Sequence, residues 1–562
     1  MSEDAVSLSG SAVSSRALWQ SVWRKVCFNV DGISIGTTIA ALAEGGLLTE
    51  LADAAVPVHI DKLAYRFGMR PGYLHLALRL LAGQGFIHYQ KQHGSCRDYA
   101  SLTADGISLL PVLPAYAQMP TLLEAASCLP DILKGDLPLT AELADTLKDC
   151  LGFPQLEALP PRLKERVQCH LLGPGVAVSL HLLMQAGLFD EAQRLPDRRI
   201  SRKSLPEPAN AYELALQLLA AQGWFKPDAD TFILQEEGIL AASVAAQYSM
   251  VLAYFPTFRG VTELLFEGHA EAKENPHVVD EKVNRHLDIE FSGDVFSRHC
   301  RQPLLDIALP TFNREALGAQ PLAIVDTGCG DGTMLLELYL AIRDHSLRGK
   351  ALDHYPLLAV GADTSPIACK VAKEKFARAG IPHLIVHGDI AMPEQLASEL
   401  ASHGVDMRDA LHISKSVIHN RRYQPPQNPG AAASRLACSE ALFVARDGTR
   451  IAQEFMEQNL MEFFCAWRPW TCRHGMIAIE AHAISPELIF SLLGESVISM
   501  LMASHGYSNQ NLIDADSHRA LAREAGFVRL ASTDVLSAGD KPLLTLDYMQ
   551  PLEGMGLGML AI

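Results

Sequence analysis

The chain has 562 residues, too many for one ordinary core, and at about 100–200 residues per domain it predicts three or four domains. Hydrophobic residues make up 49% and charged residues 20%, a globular balance that excludes extensive disorder. With 47 basic against 64 acidic residues the formal charge is −17, which opposes a broad nucleic-acid or anionic-membrane surface, and no basic patch offsets it.

Eleven cysteines stand singly, without a CxxC pair or zinc-finger spacing, so neither a disulfide framework nor a structural zinc site is expected. A reducing compartment suits them. Residues 1–15 lack a basic start followed by an apolar core, and no run of about 18 apolar residues is found for a membrane span. The expectation is a cytoplasmic protein with no membrane partner.

After an N-terminal segment, 1–29, the first half contains a repeat. Leu78–Ile87 (LRLLAGQGFI) and Leu216–Phe225 (LQLLAAQGWF) match at a distance of 138 residues. Upstream, AALAEGGLLTEL from Ala40 pairs with HLLMQAGLFDEA from His181; downstream, DYASLTADG from Asp98 pairs with TFILQEEG from Thr231. Each copy reads as helices followed by a hairpin, the winged-helix pattern, over 30–115 and 170–245 with a helical linker at 116–169. Tyr73–Ala82 carries one Arg and Ala211–Ala220 none, so these helices are expected to pack against protein and not to read DNA. A helical connector or lid, 246–310, leads to the last domain, 311–562.

There, the apolar run Leu322–Val325 is followed by DTGCGDG (Asp326–Gly332) and an amphipathic helix. Glycines at 328, 330 and 332 allow a sharp turn and close ligand approach at a helix N-terminus. The absence of a GK[ST] element argues against a phosphate-cradling loop. A second strand, Leu357–Gly361, leads to Asp363, placed where a doubly wound fold bonds ribose hydroxyls, and a third, HLIVHGD, ends at Asp389. Three successive strands ending in aspartate point to one site. DTGCGDG, GADTSP and HGD resemble the cofactor motifs of class I S-adenosylmethionine-dependent methyltransferases over about 320–562. The resemblance implies that Asp326, Gly328 and Gly330 line the methionine end, Asp363 holds the ribose, and Asp389 and Ile390 flank the adenine. It implies an α/β Rossmann-like core with a seven-stranded sheet whose last strand is antiparallel, preceded by mostly helical domains with the two winged-helix-like repeats. The remaining strands are read at 410–416, 476–481, 527–531 and 543–548.

Chemistry is expected just beyond strands four and five. His419, in SVIHNRRY with Arg421, Arg422 and Tyr423, can deprotonate or orient a substrate while Arg421 and Tyr423 hold it; the bland reading is a solvated loop. His482 follows strand five, and His505 opens HGYSNQ, which ends at Gln510. These three can ligate Fe or Mn with positions left open, or simply cap a strand and pack in a helix. The order of an N-terminal helical lid, this core, HNRRY, EAH and HGYSNQ resembles the mononuclear iron-dependent methyltransferases of bacterial polyketide assembly lines. That resemblance implies C-methylation of an enolisable carbonyl, His482, His505 and Gln510 as metal ligands, His419 near the reacting carbon, and pairing of two chains. With no carrier-protein segment in the chain, an acyl-carrier-protein-bound substrate is expected to arrive in trans; a small free molecule is the other candidate. O-methylation with His419 as general base and no metal is the alternative, and a non-catalytic cofactor-binding partner or regulator a further one.

Overall fold

The first repeat opens on a long helix, Ala12–Glu44, so that the expected separate segment 1–29 is largely part of this helix. Gly46 ends it at φ 73°, a left-handed conformation that a side chain would strain. The short helix Leu47–Asp53, strand Val58–His59, helices Ile60–Phe67 and Pro71–Gly83, and the hairpin Ile87–Lys91 with Asp98–Leu102 follow. The second repeat follows the same order with one helix reduced to a 3-10 turn: long helix Pro161–Gln185, a stop at Gly187 (φ 74°), helix Leu188–Arg194, strand Arg199–Ser201, the turn Arg202–Ser204 in place of Ile60–Phe67, helix Ala209–Ala221, and hairpin Phe225–Asp228 with Thr231–Leu234. In each, the short strand completes a three-stranded antiparallel sheet. The second copy starts at residue 161, inside the expected linker.

This is a computed structural model, and it describes residues 12–91, 97–266 and 283–552. Residues 1–11 of the N-terminal segment and 267–282 of the connector lie outside the described residues. The chain divides into two compact units, one of 1–288, 447–449 and 486–508, the other of 289–446, 450–485 and 509–562. The last domain is therefore not the single stretch 311–562 that the sequence suggested.

Two helices correct the expectation that no stretch is apolar enough for a membrane. Residues 15–44 and Pro161–Gln185 both qualify by length and composition, yet 94% and 78% of their most apolar windows are buried within the protein. Their hydropathy is spent on packing. Helices Pro71–Gly83 and Ala209–Ala221, at the recognition-helix position, are also buried along most of their length, through residues such as Leu74, Leu78, Leu214 and Leu218.

The second unit is built on a seven-stranded sheet. Its strands are β1 (Ala323–Thr327), β2 (Leu358–Asp363), β3 (His383–His387), β4 (Ala410–Lys415), β5 (Met476–Ala481), β6 (Phe527–Ala538) and β7 (Lys541–Pro551), in the order β6-β7-β5-β4-β1-β2-β3. The first five run parallel, and β7 is antiparallel to both β5 and β6. β1, β4 and β5 are covered on both faces, which is why they read as near-continuous apolar runs. One face packs on Phe464 and Trp467 of helix Gln453–Thr471, the other on Leu335 and Leu338 of helix Thr333–His345. The strand order reverses between β1 and β4, so the crevice beyond their carboxyl ends is where such a sheet places its ligand.

Candidate active site

The turn after β1 is tied across the end of β2. The Gly328 and Cys329 amides donate to the Ala362 carbonyl (2.7 and 3.1 Å), and the Gly330 amide donates to Asp363 Oδ2 (3.0 Å). Asp363 Oδ1 accepts the Ser365 amide at 2.8 Å, so this carboxylate fixes two turns at once. Gly328 has φ 85°, and a Cβ there would lie 2.3 Å from Val417 Cγ1; glycine is needed for both reasons. At Gly330, φ 53°, a Cβ would meet nothing within 4 Å, so the turn is open on that side.

Asp326 sits in register with Gly361 of β2 and Ile413 of β4 and is fully buried. Neither carboxylate oxygen has a hydrogen-bond partner among the described residues. Burial, and then the charge of Asp363, push its pKa well above the usual carboxylate range. An isolated buried carboxylate is costly, and a cationic or hydrogen-bonding ligand group would relieve it. Asp389 closes the loop after β3, where its Oδ1 accepts the Ala391 amide (2.8 Å). Its neighbour Ile390 is buried, and the Ile390 carbonyl accepts the Trp467 indole N–H at 2.9 Å. The orphaned Asp326 and the open Gly330 turn fit a bound S-adenosylmethionine.

Beyond β4 and β5 lies a small cavity lined by His419, Arg421, Glu480, Asn511 and His518 against Ile418 and other apolar side chains. His419 Nδ1 is 2.6 Å from Glu480 Oε2, and both residues are buried. Glu480 Oε1 accepts the Val417 and Ile418 amides at 3.1 and 2.9 Å, so the carboxylate shapes the loop as well as holding the imidazole. Burial works to raise the Glu480 pKa, but His419, with its charge and hydrogen bond, His518 and the Ile418 amide outweigh it and hold the group at about 2. His518 is buried with no hydrogen bond to either ring nitrogen among the described residues, and burial lowers its pKa.

Arg421 lines the same cavity but is engaged by the Ile418 carbonyl, by Asn459 Oδ1 (2.7 Å) and by the Phe463 ring (5.1 Å); burial lowers its pKa to about 10. Tyr423 is half-buried against the sheet core, outside the cavity lining. The expected metal ligands fall in both units. His482 and Gln510 belong to the second unit, His505 to the first, in helix Ile498–Tyr507. His482 is fully buried with both nitrogens engaged, Nδ1 by the Ile513 carbonyl (3.2 Å) and Nε2 by Thr545 Oγ1 (2.8 Å); burial lowers its pKa to about 3. His505 Nδ1 lies 2.8 Å from the Leu501 carbonyl one turn back. Among the described residues, no group of three His, Cys, Asp or Glu side chains is disposed to hold a metal. With both ring nitrogens engaged within the protein, His482 as it stands offers none to an iron or manganese ion.

Glu480, Asn511 and His518 escaped the sequence reading. Glu480 carried a usable signal: it is the sole acid in the otherwise apolar strand MIAIEA, and a charge on a doubly covered strand requires a partner.

The sheet order, the glycine turn after β1 and the aspartates that follow β2 and β3 define a class I S-adenosylmethionine-dependent methyltransferase. More particularly, residues 280–536 match the AprA MT2-like domain model, residues 24–89 the AprA N-terminal domain and residues 176–268 the AprA winged helix domain. None of the curated proteins matches the chain. Among solved structures it is similar to an O-methyltransferase family protein from Burkholderia thailandensis (12% identity, 67% of this chain and 94% of that one, TM-score 0.37). It is likewise similar to CalO1, a methyltransferase in calicheamicin biosynthesis (14%, 68% and 95%, 0.35), and to the CurJ carbon methyltransferase (13%, 78% and 99%, 0.31).

Proposed function

We propose that the protein methylates an enolisable carbon of a natural-product intermediate, either a small molecule or an acyl chain delivered on a carrier protein, with His419 as the base and Glu480 as its positioning partner. The observation that carries this reading is the buried 2.6 Å contact between His419 Nδ1 and Glu480 Oε2 in the cavity beyond β4 and β5. A carboxylate on Nδ1 fixes the tautomer and leaves Nε2 as the proton-accepting nitrogen. The imidazole takes the acidic proton, and Glu480 stabilises the imidazolium that results. Asp326, Gly328, Gly330, Asp363, Asp389 and Ile390 would hold S-adenosylmethionine, which supplies an electrophilic methyl group when bound. The substrate carbon keeps the electron pair of its lost C–H bond and uses it to bond that methyl. Besides Arg421, whose guanidinium is engaged by Ile418 and Asn459, the cavity wall carries Asn511 and His518, which are suited to hold a substrate carbonyl oxygen.

The same dyad is a complete general base without any metal, so methylation of a hydroxyl is the second reading. Both are tested with malonyl and β-ketoacyl pantetheine thioesters in deuterated water. The carbon reading expects α-proton exchange in the presence of S-adenosylhomocysteine, methyl incorporation at carbon with S-adenosylmethionine, and loss of both in His419→Ala. Methyl incorporation at oxygen with no α-exchange would replace it with the hydroxyl reading.

A further inference from the structure

The two repeats meet each other through equivalent residues. Along the long helices, which end before Gly46 and Gly187, equivalent positions are 141 residues apart; beyond the hairpins, Gly106 and Gly238 set the distance at 132. The latter two glycines occupy the same place in each copy, since a Cβ would lie 2.1 Å from the Phe86 carbonyl oxygen in one and 2.4 Å from the Trp224 carbonyl oxygen in the other.

With those distances, three contacts between the repeats become reciprocal pairs. A Cβ on Gly32 would lie 2.1 Å from His170 Cα, and a Cβ on its equivalent, Gly173, would lie 2.3 Å from the carbonyl oxygen of Asn29, the equivalent of His170. Asn29 Nδ2 donates to Tyr248 Oη at 3.1 Å, while His170 Nδ1 is 2.9 Å from Tyr116 Oη, and Tyr116 and Tyr248 are themselves equivalent. Lys25 Nζ donates to the Gln222 carbonyl (3.0 Å), and its counterpart Arg166 donates to the Gln84 carbonyl (2.9 Å). Residue i of one copy touches j of the other, and j touches i; this is the signature of a two-fold, isologous interface. The glycines permit backbone-to-backbone approach at the crossing, and the tyrosines, asparagine and histidine there are buried.

We propose that the N-terminal half is a symmetric dimer formed within one chain: the second repeat occupies, on the first, the surface that another copy of the protein would need for pairing, so the protein is monomeric. The full-length protein is examined by light scattering over its accessible concentration range, and Tyr116→Phe and Tyr248→Phe variants by thermal denaturation. The expected result is a mass of 61.2 kDa at every concentration. Each phenylalanine variant, by removing one cross-repeat hydrogen bond, is expected to lower Tm by about 2–4 °C. A mass of twice the chain that persists on dilution would overturn the proposal. So would two variants that melt like the wild type, because the reciprocal contacts would then not hold the repeats together.

Discussion

Replacing Glu480 with glutamine separates the roles of charge and shape in the proposed dyad. The carboxylate accepts from the Val417 and Ile418 amides on one oxygen and from His419 Nδ1 on the other. An amide of the same shape has one acceptor: if its oxygen keeps the two backbone amides, its NH₂ faces the imidazole N–H. The ring must then present Nδ1 as acceptor and carry its proton on Nε2, where it cannot take one from substrate. A correctly held general base is worth about 10²–10⁴-fold, or about 3–5 kcal/mol of barrier, and Glu480→Gln is expected to lose a factor in that range. The assay is transfer of labelled methyl to the thioester acceptor, with calorimetric binding of S-adenosylhomocysteine showing that the cofactor pocket is intact. Linkage gives a second readout. A pKa depressed from 4.5 to about 2 contributes stability that is fully present above 4.5 and lost as pH falls toward 2. Its size is about 3 kcal/mol, so the wild type should lose that much stability across this window, and the glutamine variant should lack that part of the acid dependence. Wild-type turnover in Glu480→Gln, with cofactor binding unchanged, would refute the dyad.

Asp363→Ala frees the Gly330 and Ser365 amides and should weaken S-adenosylhomocysteine binding at least about tenfold, about 1.4 kcal/mol, by calorimetry; undiminished affinity would remove Asp363 from the cofactor site. Trp467→Phe deletes the hydrogen bond to the Ile390 carbonyl from a fully buried position and should cost about 1–3 kcal/mol in denaturant unfolding. His482→Ala should cost about 2–4 kcal/mol because it removes a fully buried ring and leaves the Ile513 carbonyl and Thr545 hydroxyl without their partner, while elemental analysis finds the same metal content as in the wild type. Stoichiometric iron or manganese that disappears in the folded variant would restore His482 as a ligand.

The sheet was legible because doubly covered parallel strands write themselves as short apolar runs: Met476–Ala481 was placed to the residue, and β1, β2 and β4 to within two. β6 was read as five residues but spans twelve, since its outer part pairs with β7 as a ribbon whose burial alternates and leaves no apolar run. The aspartates were legible because each stands within two residues of the carboxyl end of its strand. Glu480 is not legible as a partner of His419 because the two are 61 residues apart in sequence and no local pattern tells that the end of a parallel neighbour lies beside it. HGYSNQ is a different case. The boundary between the two units falls between Ser508 and Asn509, and Asn509 takes φ 59° there, so the segment read as one ligand loop is divided between two cores. Such an excursion of the chain leaves no compositional trace.

Asp31 illustrates what joining the repeats on one chain permits. It is buried on the first long helix, accepts from Gln84 Nε2 at 2.9 Å, and burial lifts its pKa to about 7. Its equivalent on the second long helix is Leu172. In an assembly of identical chains every substitution is made twice, and a buried acid beside a symmetry axis arrives with a twin whose charge it must tolerate. Here one half carries the acid and the other a hydrocarbon, so each side of the interface can differ without its twin. Lys25 opposite Arg166 and Asn29 opposite His170 show the same freedom: covalently linked halves need not be identical.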